Sequence, residues 1–304
     1  MTSATATLEV EHLTHYRYAE TVDLAHHLAY LRPLENDAQR VQAFELDIDP
    51  APQHERSDVD WAGNWRSSFT VTVPHRELRV RSSSRVRVAP AAPFDAQDTL
   101  AWEAVRQRLR YEAGAAFEPA SQFVFASPFV PPLPALREFA LPSFGPRQPV
   151  AAAAIELMAR IHSGFAYRSA ATTIDTPLTE VLARRAGVCQ DFAHLMIGAL
   201  RSLGLAAHYI SGYLLTATHE TGAQAAPMLG ADASHAWVGV WCPRVDGAPA
   251  RWLELDPTNN LLASNGHVRL ALGRDFGDVT PLRGVIRGGG THELEVRVRT
   301  RRLG

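Results

Sequence analysis

Cys189 stands in the segment GVCQDFAHLM, where the residue pattern places the start of a helix. Unpaired backbone amides and the positive end of the helix dipole favour a thiolate there and pull its pKa below the free value of about 8.5. Such a sulfur is a nucleophile, and it follows Gly187 and Val188 out of a loop where a substrate can reach it. A cysteine nucleophile needs a base, and the base needs an orienter. His235 in ASHAWVGVW and Asp256 in LELDPTNN fit those roles. Both segments read as strands, so alternation assigns their faces. His235, Trp237, Gly239 and Trp241 share one face, while Ala236, Val238, Val240 and Cys242 share the other, so Cys242 points away from His235. Trp252, Glu254 and Asp256 also share a face. If the hairpin between the segments closes through Arg244–Gly247, His235 lies directly across from Asp256, with Cβ atoms about 5 Å apart. A slip of two residues makes the pair diagonal.

Other residues are expected to complete the site. The backbone N–H of Cys189 at the helix start is the natural first donor to an oxyanion, and Tyr167 in GFAYRS is the candidate for the second, with simple packing as its alternative. Gln190, Trp237 and Asn259 are candidates to line the substrate cleft; Asn259 and Asn260 also suit a turn after Pro257. Asp191 supports the helix start. His26, His27, His194 and His208 read as structural or surface residues. No CxxC or HExxH spacing occurs, so neither a metal nor a cofactor is expected.

The elements that position these residues follow from periodicity. From Leu8 to Ala89, short alternating segments such as LEVEHLTHYRY, VQAFELDID, WRSSFTVTV and ELRVRSSSRVRVA are divided by turn residues. They predict an antiparallel, sandwich-like β domain over residues 1–90. Residues 91–148 read as a proline-rich connector with helical turns, opening on a helix capped by Asp95 or Asp98. Residues 149–304 form the core. Its first helix ends at Gly164, a second runs from Pro177 to Gly187, and a third carries Phe192, Leu195, Met196, Ala199, Leu200 and Leu203 as a buried stripe. Strands HYISGYLL, SHAWVGVWC and RWLELDP follow, and the tail THELEVRVRTR is one more strand. Helices before antiparallel strands make this an α+β fold.

Composition narrows the chemistry. With 46% hydrophobic and 20% charged residues, the 304-residue chain is an ordinary globular sequence. Its net charge of −2 supplies no field for nucleic acid or an anionic membrane. All 30 basic residues are arginine. Schiff-base catalysis, pyridoxal phosphate anchoring and the P-loop site need a lysine amine and are excluded on this chain's own residues. Two cysteines are too few for a disulfide framework, and no signal peptide or long apolar run is visible; both suggest a reducing, cytoplasmic setting.

GVCQDFAHLMIGALRSLGL, YISGYL, SHAWV and WLELDPTN, in that order, resemble the bacterial transglutaminase-like superfamily. THYRY, LRP and the WAGNW segment look like the β domain of its two-domain branch, and GRDFGDVTPLRG looks like that branch's ending. The resemblance implies a papain-like Cys189, His235 and Asp256 triad on an α+β core. His208 departs from it, since arginine is more usual there. The family includes amide cross-linkers, peptidases, amidases and members without the triad. Thiol-dependent acyl transfer on a peptide or protein amide is therefore the expectation, with water or an amine as acceptor and hydrolysis slightly favoured. Acyl transfer to an arylamine by the same triad and an idle binding module on the same fold are the alternatives.

Overall fold

The structure is a computed structural model that describes residues 4–169, 171–216, 228–231 and 233–303. Strands β1 (Ala6–Ala29), β2 (Gln39–Asp49), β3 (His54–Val59), β4 (Trp65–Val71) and β5 (His75–Val88) come first. The expected β domain is one seven-stranded antiparallel sheet, curled as a half-barrel, with β1 at its centre. Even-numbered residues of β1, among them Leu8, Val10 and His12, are buried in its first half, and odd-numbered ones, Ala25, His27 and Ala29, in its second. Register shifts between Arg17 and Val22, and between Val22 and Leu24, mark where the faces exchange. Extra unpaired residues bend a strand and reverse its alternation.

The connector holds α1 (Trp102–Arg108) and α2 (Pro134–Ala140). Asp95 does not cap α1; its carboxylate caps the short 3₁₀ turn Ala96–Asp98 by accepting from the Gln97 N–H at 2.9 Å. Next come α3 (Val150–Gly164), β6 (Ala166–Tyr167), α4 (Leu178–Arg184), β7 (Ala186–Gly187) and α5 (Cys189–Ser202). Helix α4 ends earlier than Gly187 because Arg185 turns the chain with φ 51°, and Ala186–Gly187 then pairs with β6. Along α5, Phe192, Leu195, Met196, Ala199, Leu200 and Leu203 are all buried in the main core. At Gly198 a Cβ would lie 2.7 Å from Leu136 Cδ1, so this glycine admits α2 against α5.

Strands β8 (Ala207–Leu214), β9 (His235–Cys242), β10 (Arg251–Asp256), β11 (Leu261–Leu262) and β12 (His267–Gly273) form the second sheet, in the order β11-β10-β9-β8-β12. The chain then returns to the first sheet as β13 (Leu282–Gly288) and β14 (His292–Leu303). Both pair with β1, along the edge opposite β4 and β5. The tail strand, whose sheet the sequence leaves open, belongs to the N-terminal sheet, a pairing between residues nearly 300 positions apart, such as Thr7 and Leu303, that no local pattern encodes.

The two sheets are fastened together by apolar and polar contacts. Leu8, Val10, Val86 and Val298 share a core with Tyr213, Val268 and Leu270. Asn64, the asparagine of WAGNW, substitutes for a strand partner: its amide donates to Leu272 O at 2.7 Å and accepts from Leu272 N at 2.7 Å. Gln39 does the same for Arg269, at 2.8 Å in both directions. Removing one side of a buried pair strands the other, at a cost of about 1–3 kcal/mol per group. Asn64→Ala should therefore lower the free energy of unfolding by about 2–4 kcal/mol in a denaturant titration, and a change within error would show that Leu272 finds other partners.

Candidate active site

Helix α5 begins on Cys189, the candidate nucleophile. Asp191 folds back to accept from the Val188 N–H at 2.8 Å, and the Thr172 hydroxyl donates to the same oxygen at 2.6 Å. This fold-back needs the glycine before Val188, since a Cβ on Gly187 would sit 2.7 Å from Asp191 Oδ2. Burial raises the Asp191 pKa, against the two hydrogen bonds. Cys189 is therefore held as the first residue of a buried helix, with its amide among those lacking an intrahelical acceptor.

Residues β6 and β7 run in parallel, with Tyr167 opposite Gly187, which brings Tyr167 to the loop that delivers the cysteine. His235 is at the start of β9 and Asp256 at the end of β10. The observed register pairs Trp241 with Trp252 and Val238 with Leu255, two residues away from direct opposition of His235 and Asp256. The pair is diagonal, because the turn uses the whole of Pro243–Ala250 rather than closing at Arg244–Gly247. Shared facing survives a slip of two, and His235 Nε2 reaches Asp256 Oδ2 at 2.9 Å.

Both side chains are buried. Burial alone would push the imidazole pKa down; the Asp256 carboxylate and the Cys189 sulfur outweigh it and raise it to about 10. Burial would raise Asp256, yet His235 and His267 hold it far below the usual carboxylate range. Every lone-pair direction of the carboxylate is engaged. Oδ1 accepts from the N–H groups of Thr258 and Asn259 at 3.0 and 3.1 Å. Besides His235, Oδ2 accepts from Asn259 Nδ2 at 2.9 Å and His267 Nε2 at 3.4 Å. The Ser264 N–H points at His267 Nδ1, 3.4 Å away, which assigns the His267 proton to Nε2. His235 Nδ1, on the other side of its ring, has no hydrogen-bond partner within ordinary geometry among the described residues, and Cys189 lies close enough to the ring to raise its pKa.

The expected cleft residues divide. Gln190 is half-buried beside Cys189, and Asn259 is tied to Asp256. Trp237 is not in a cleft: it is fully buried, its ring 6.2 Å from that of His235 and 5.3 Å from that of His267. It donates to Glu254 Oε2 at 2.8 Å, and Glu254 is held in turn by Arg269 at 2.7 Å. Strand β9 is buried on both faces, so alternation there does not distinguish cleft from core. Cys242 lies on the opposite face, where burial pushes its thiol up to about 12. His194 and His208 are buried structural residues, the first accepting from the Phe276 N–H at 3.1 Å and the second against the Trp252 ring at 4.2 Å.

Two neighbours were not visible in the sequence. His267 lies in a strand predicted by no strong alternation. At Gly230 (φ +83°) a Cβ would sit 2.8 Å from His235 Nδ1 and 3.6 Å from the Tyr167 hydroxyl. A glycine in MLGADASHAW carries no signal of its own until the chain is folded. Among the described residues no group of three or more His, Cys, Asp or Glu side chains is arranged to hold a metal, and no helix is long and apolar enough to cross a membrane.

Residues 138–257, which carry all three of these groups, match the transglutaminase-like superfamily, and residues 8–87 match the bacterial transglutaminase-like N-terminal region. The chain belongs to the transglutaminase-like superfamily. Uncharacterised proteins of Mycobacterium tuberculosis and Mycobacterium bovis are 42% identical to it over 289 residues, covering 93% of this chain and 88% of theirs. The crystal structure of a Cytophaga hutchinsonii protein, described as a "Putative Cysteine Protease", superposes with a TM-score of 0.74 at 20% identity. That match covers 99% of this chain and 92% of the other, and extends the likeness of fold to both sheets.

The raised imidazole pKa fixes the sign of a pH effect. A group that binds its proton more tightly when folded stabilises the fold fully below its unfolded pKa and loses that contribution as pH rises through the folded one. For His235 this window runs from 6.5 to about 10. The wild-type melting temperature should fall across it by more than that of His235→Gln, whose side chain does not titrate; parallel curves would contradict a charged imidazolium in the native state.

Proposed function

We propose that this member of the superfamily is a thiol-dependent enzyme that cleaves or transfers amide acyl groups through a thioester on Cys189. The observation that carries this reading is the orientation of His235: Nε2 is fixed to a buried carboxylate at 2.9 Å, while Nδ1 is left for the thiol. Nδ1 takes the proton from Cys189, and the sulfur adds to the amide carbonyl carbon. Asp256 stabilises the resulting imidazolium and keeps the ring from turning. The oxyanion is met by the Cys189 backbone N–H, with Tyr167 as the second candidate donor. When the C–N bond breaks, Nδ1 returns the proton to the leaving amine. Water or a primary amine then attacks the thioester, gives its proton to Nδ1, and the thiol is restored as the product leaves.

The substrate class is a peptide or protein amide, with an amine as possible co-substrate; no cofactor takes part in these steps. Hydrolysis is slightly favoured, because water always competes for the thioester. A reducing cytoplasm suits a free nucleophilic thiol.

A peptide library incubated with the protein, with and without added amine, tests the reading by mass spectrometry. Cleaved bonds indicate hydrolysis and amine adducts indicate transamidation. Cys189→Ala should abolish either product, and Asp256→Asn should slow it on the order of a thousandfold, since an amide cannot stabilise the imidazolium. Cys242→Ser should leave the rate nearly unchanged; an equal loss in well-folded Cys242→Ser and Cys189→Ala would refute a single nucleophile.

The missing lysines give a second test. A transamidating form of this protein has glutamines but no lysine amine of its own. The purified, tag-free protein should form no reductant-resistant ladder, and a ladder should appear on adding a diamine. Ladders from the protein alone, mapped away from its amino terminus, would contradict the proposed chemistry.

A further inference from the structure

Three observations converge on the side of His235 that faces the thiol. Asn259 grips both the triad and the segment before β9: its Nδ2 donates to Asp256 Oδ2 at 2.9 Å and to Leu229 O at 3.3 Å, and its Oδ1 accepts from Leu229 N at 2.8 Å. The next residue, Gly230, turns with φ +83° directly beside the ring. The point its Cβ would occupy is 2.8 Å from His235 Nδ1 and 3.6 Å from the Tyr167 hydroxyl. A leaving amine must come within hydrogen-bond reach of Nδ1 to be protonated, and an incoming water or amine must do so to be deprotonated. The volume that glycine leaves empty is thus the volume the reaction needs.

We propose that Leu229–Gly230 is the wall of the leaving-group and acceptor side of the site, and that Asn259 is the positioning residue that locks this wall to Asp256. The inference rests on the acyl-transfer reading above and deepens it. It makes the acceptor water or an unbranched primary amine, since the space is bounded by backbone on one side and by the Tyr167 hydroxyl on another. It also gives Asn259 a role distinct from forming the turn after Pro257, for which aspartate serves as well as asparagine. Asparagine is the residue that can both donate to the Asp256 carboxylate and accept from the Leu229 amide.

The test uses the full chain and iodoacetamide, with the alkylation rate of Cys189 followed from pH 4 to 10 by peptide mass spectrometry. In the wild type, Cys189 beside His235 should react faster than the buried Cys242 at pH 6. Asn259→Asp keeps the size and the turn but loses the donor; it and Asn259→Ala should each lower the rate at pH 6 at least tenfold, with melting temperatures showing a folded chain. Gly230→Ala should do the same, whereas Gly247→Ala, at another positive φ (74°) with open space around it, controls for backbone strain and should retain the wild-type profile. A wild-type profile in Asn259→Asp, or in Gly230→Ala, would overturn the wall and its clasp while leaving the triad standing. Alkylation of Cys189 no faster than that of Cys242 in the wild type itself would overturn the nucleophile assignment first.

Discussion

A carboxylate with no exposure to water must be compensated by its neighbours, and at Asp256 that requirement organises the site. A buried charge is tolerated only when it is paired and its lone pairs are filled. Two backbone amides, one asparagine amide and two imidazoles converge on the two oxygens. These donors come from β9, β12 and the turn after β10, so no single element makes the charge tolerable. Once it is tolerated, the charge does two things: it orients His235 so that the free nitrogen faces Cys189, and it raises the proton affinity of that ring.

The same requirement explains why the N-terminal sheet matters to a site that it does not enter. His267 opens β12, the edge strand of the second sheet, and β12 is held from outside by Gln39 and Asn64 through the backbones of Arg269 and Leu272. Arg269 in turn carries the Glu254 carboxylate that receives the Trp237 indole, and Trp237 packs between the two histidine rings. A chain of hydrogen bonds thus runs from the half-barrel to the Trp237 indole, which packs against the imidazole. Its members are polar groups in a low-dielectric interior, with little freedom to relax.

Glycine serves the site by what it leaves out. At Gly212 a Cβ would meet Trp237 Cη2 at 2.3 Å and Val268 O at 2.2 Å, so the indole lies against bare backbone. Gly187 admits the Asp191 carboxylate under the helix that opens on Cys189, and Gly230 keeps a volume beside His235 Nδ1 open. Each is close approach of a functional group to the main chain, and only Gly230 also needs its positive φ. The two cysteines show the complementary effect of burial. Cys242, enclosed on the far face of β9, is held as a thiol, while Cys189 stands at a helix start beside an imidazole.

Local chemistry made much of this legible from the residue order. Helix periodicity located α3 and α5, alternation placed His235 and Asp256 on one face of adjacent strands, and Cys189 was read at the helix start where the structure has it. Those signals are short-range, set by 3.6-residue and 2-residue repeats that the chain carries wherever it folds. What they could not carry was long-range register. The hairpin turn consumed four more residues than the local pattern required and slipped the register by two, Trp237 went into the core because β9 is covered on both faces, and the tail crossed back to β1. His267, Gly230 and the grip of Asn259 on Leu229 join the site through contacts between segments that are distant or irregular in sequence. A buried charge selects its donors by proximity in space, and proximity is decided when sheets pair and loops close, which only the tertiary structure does.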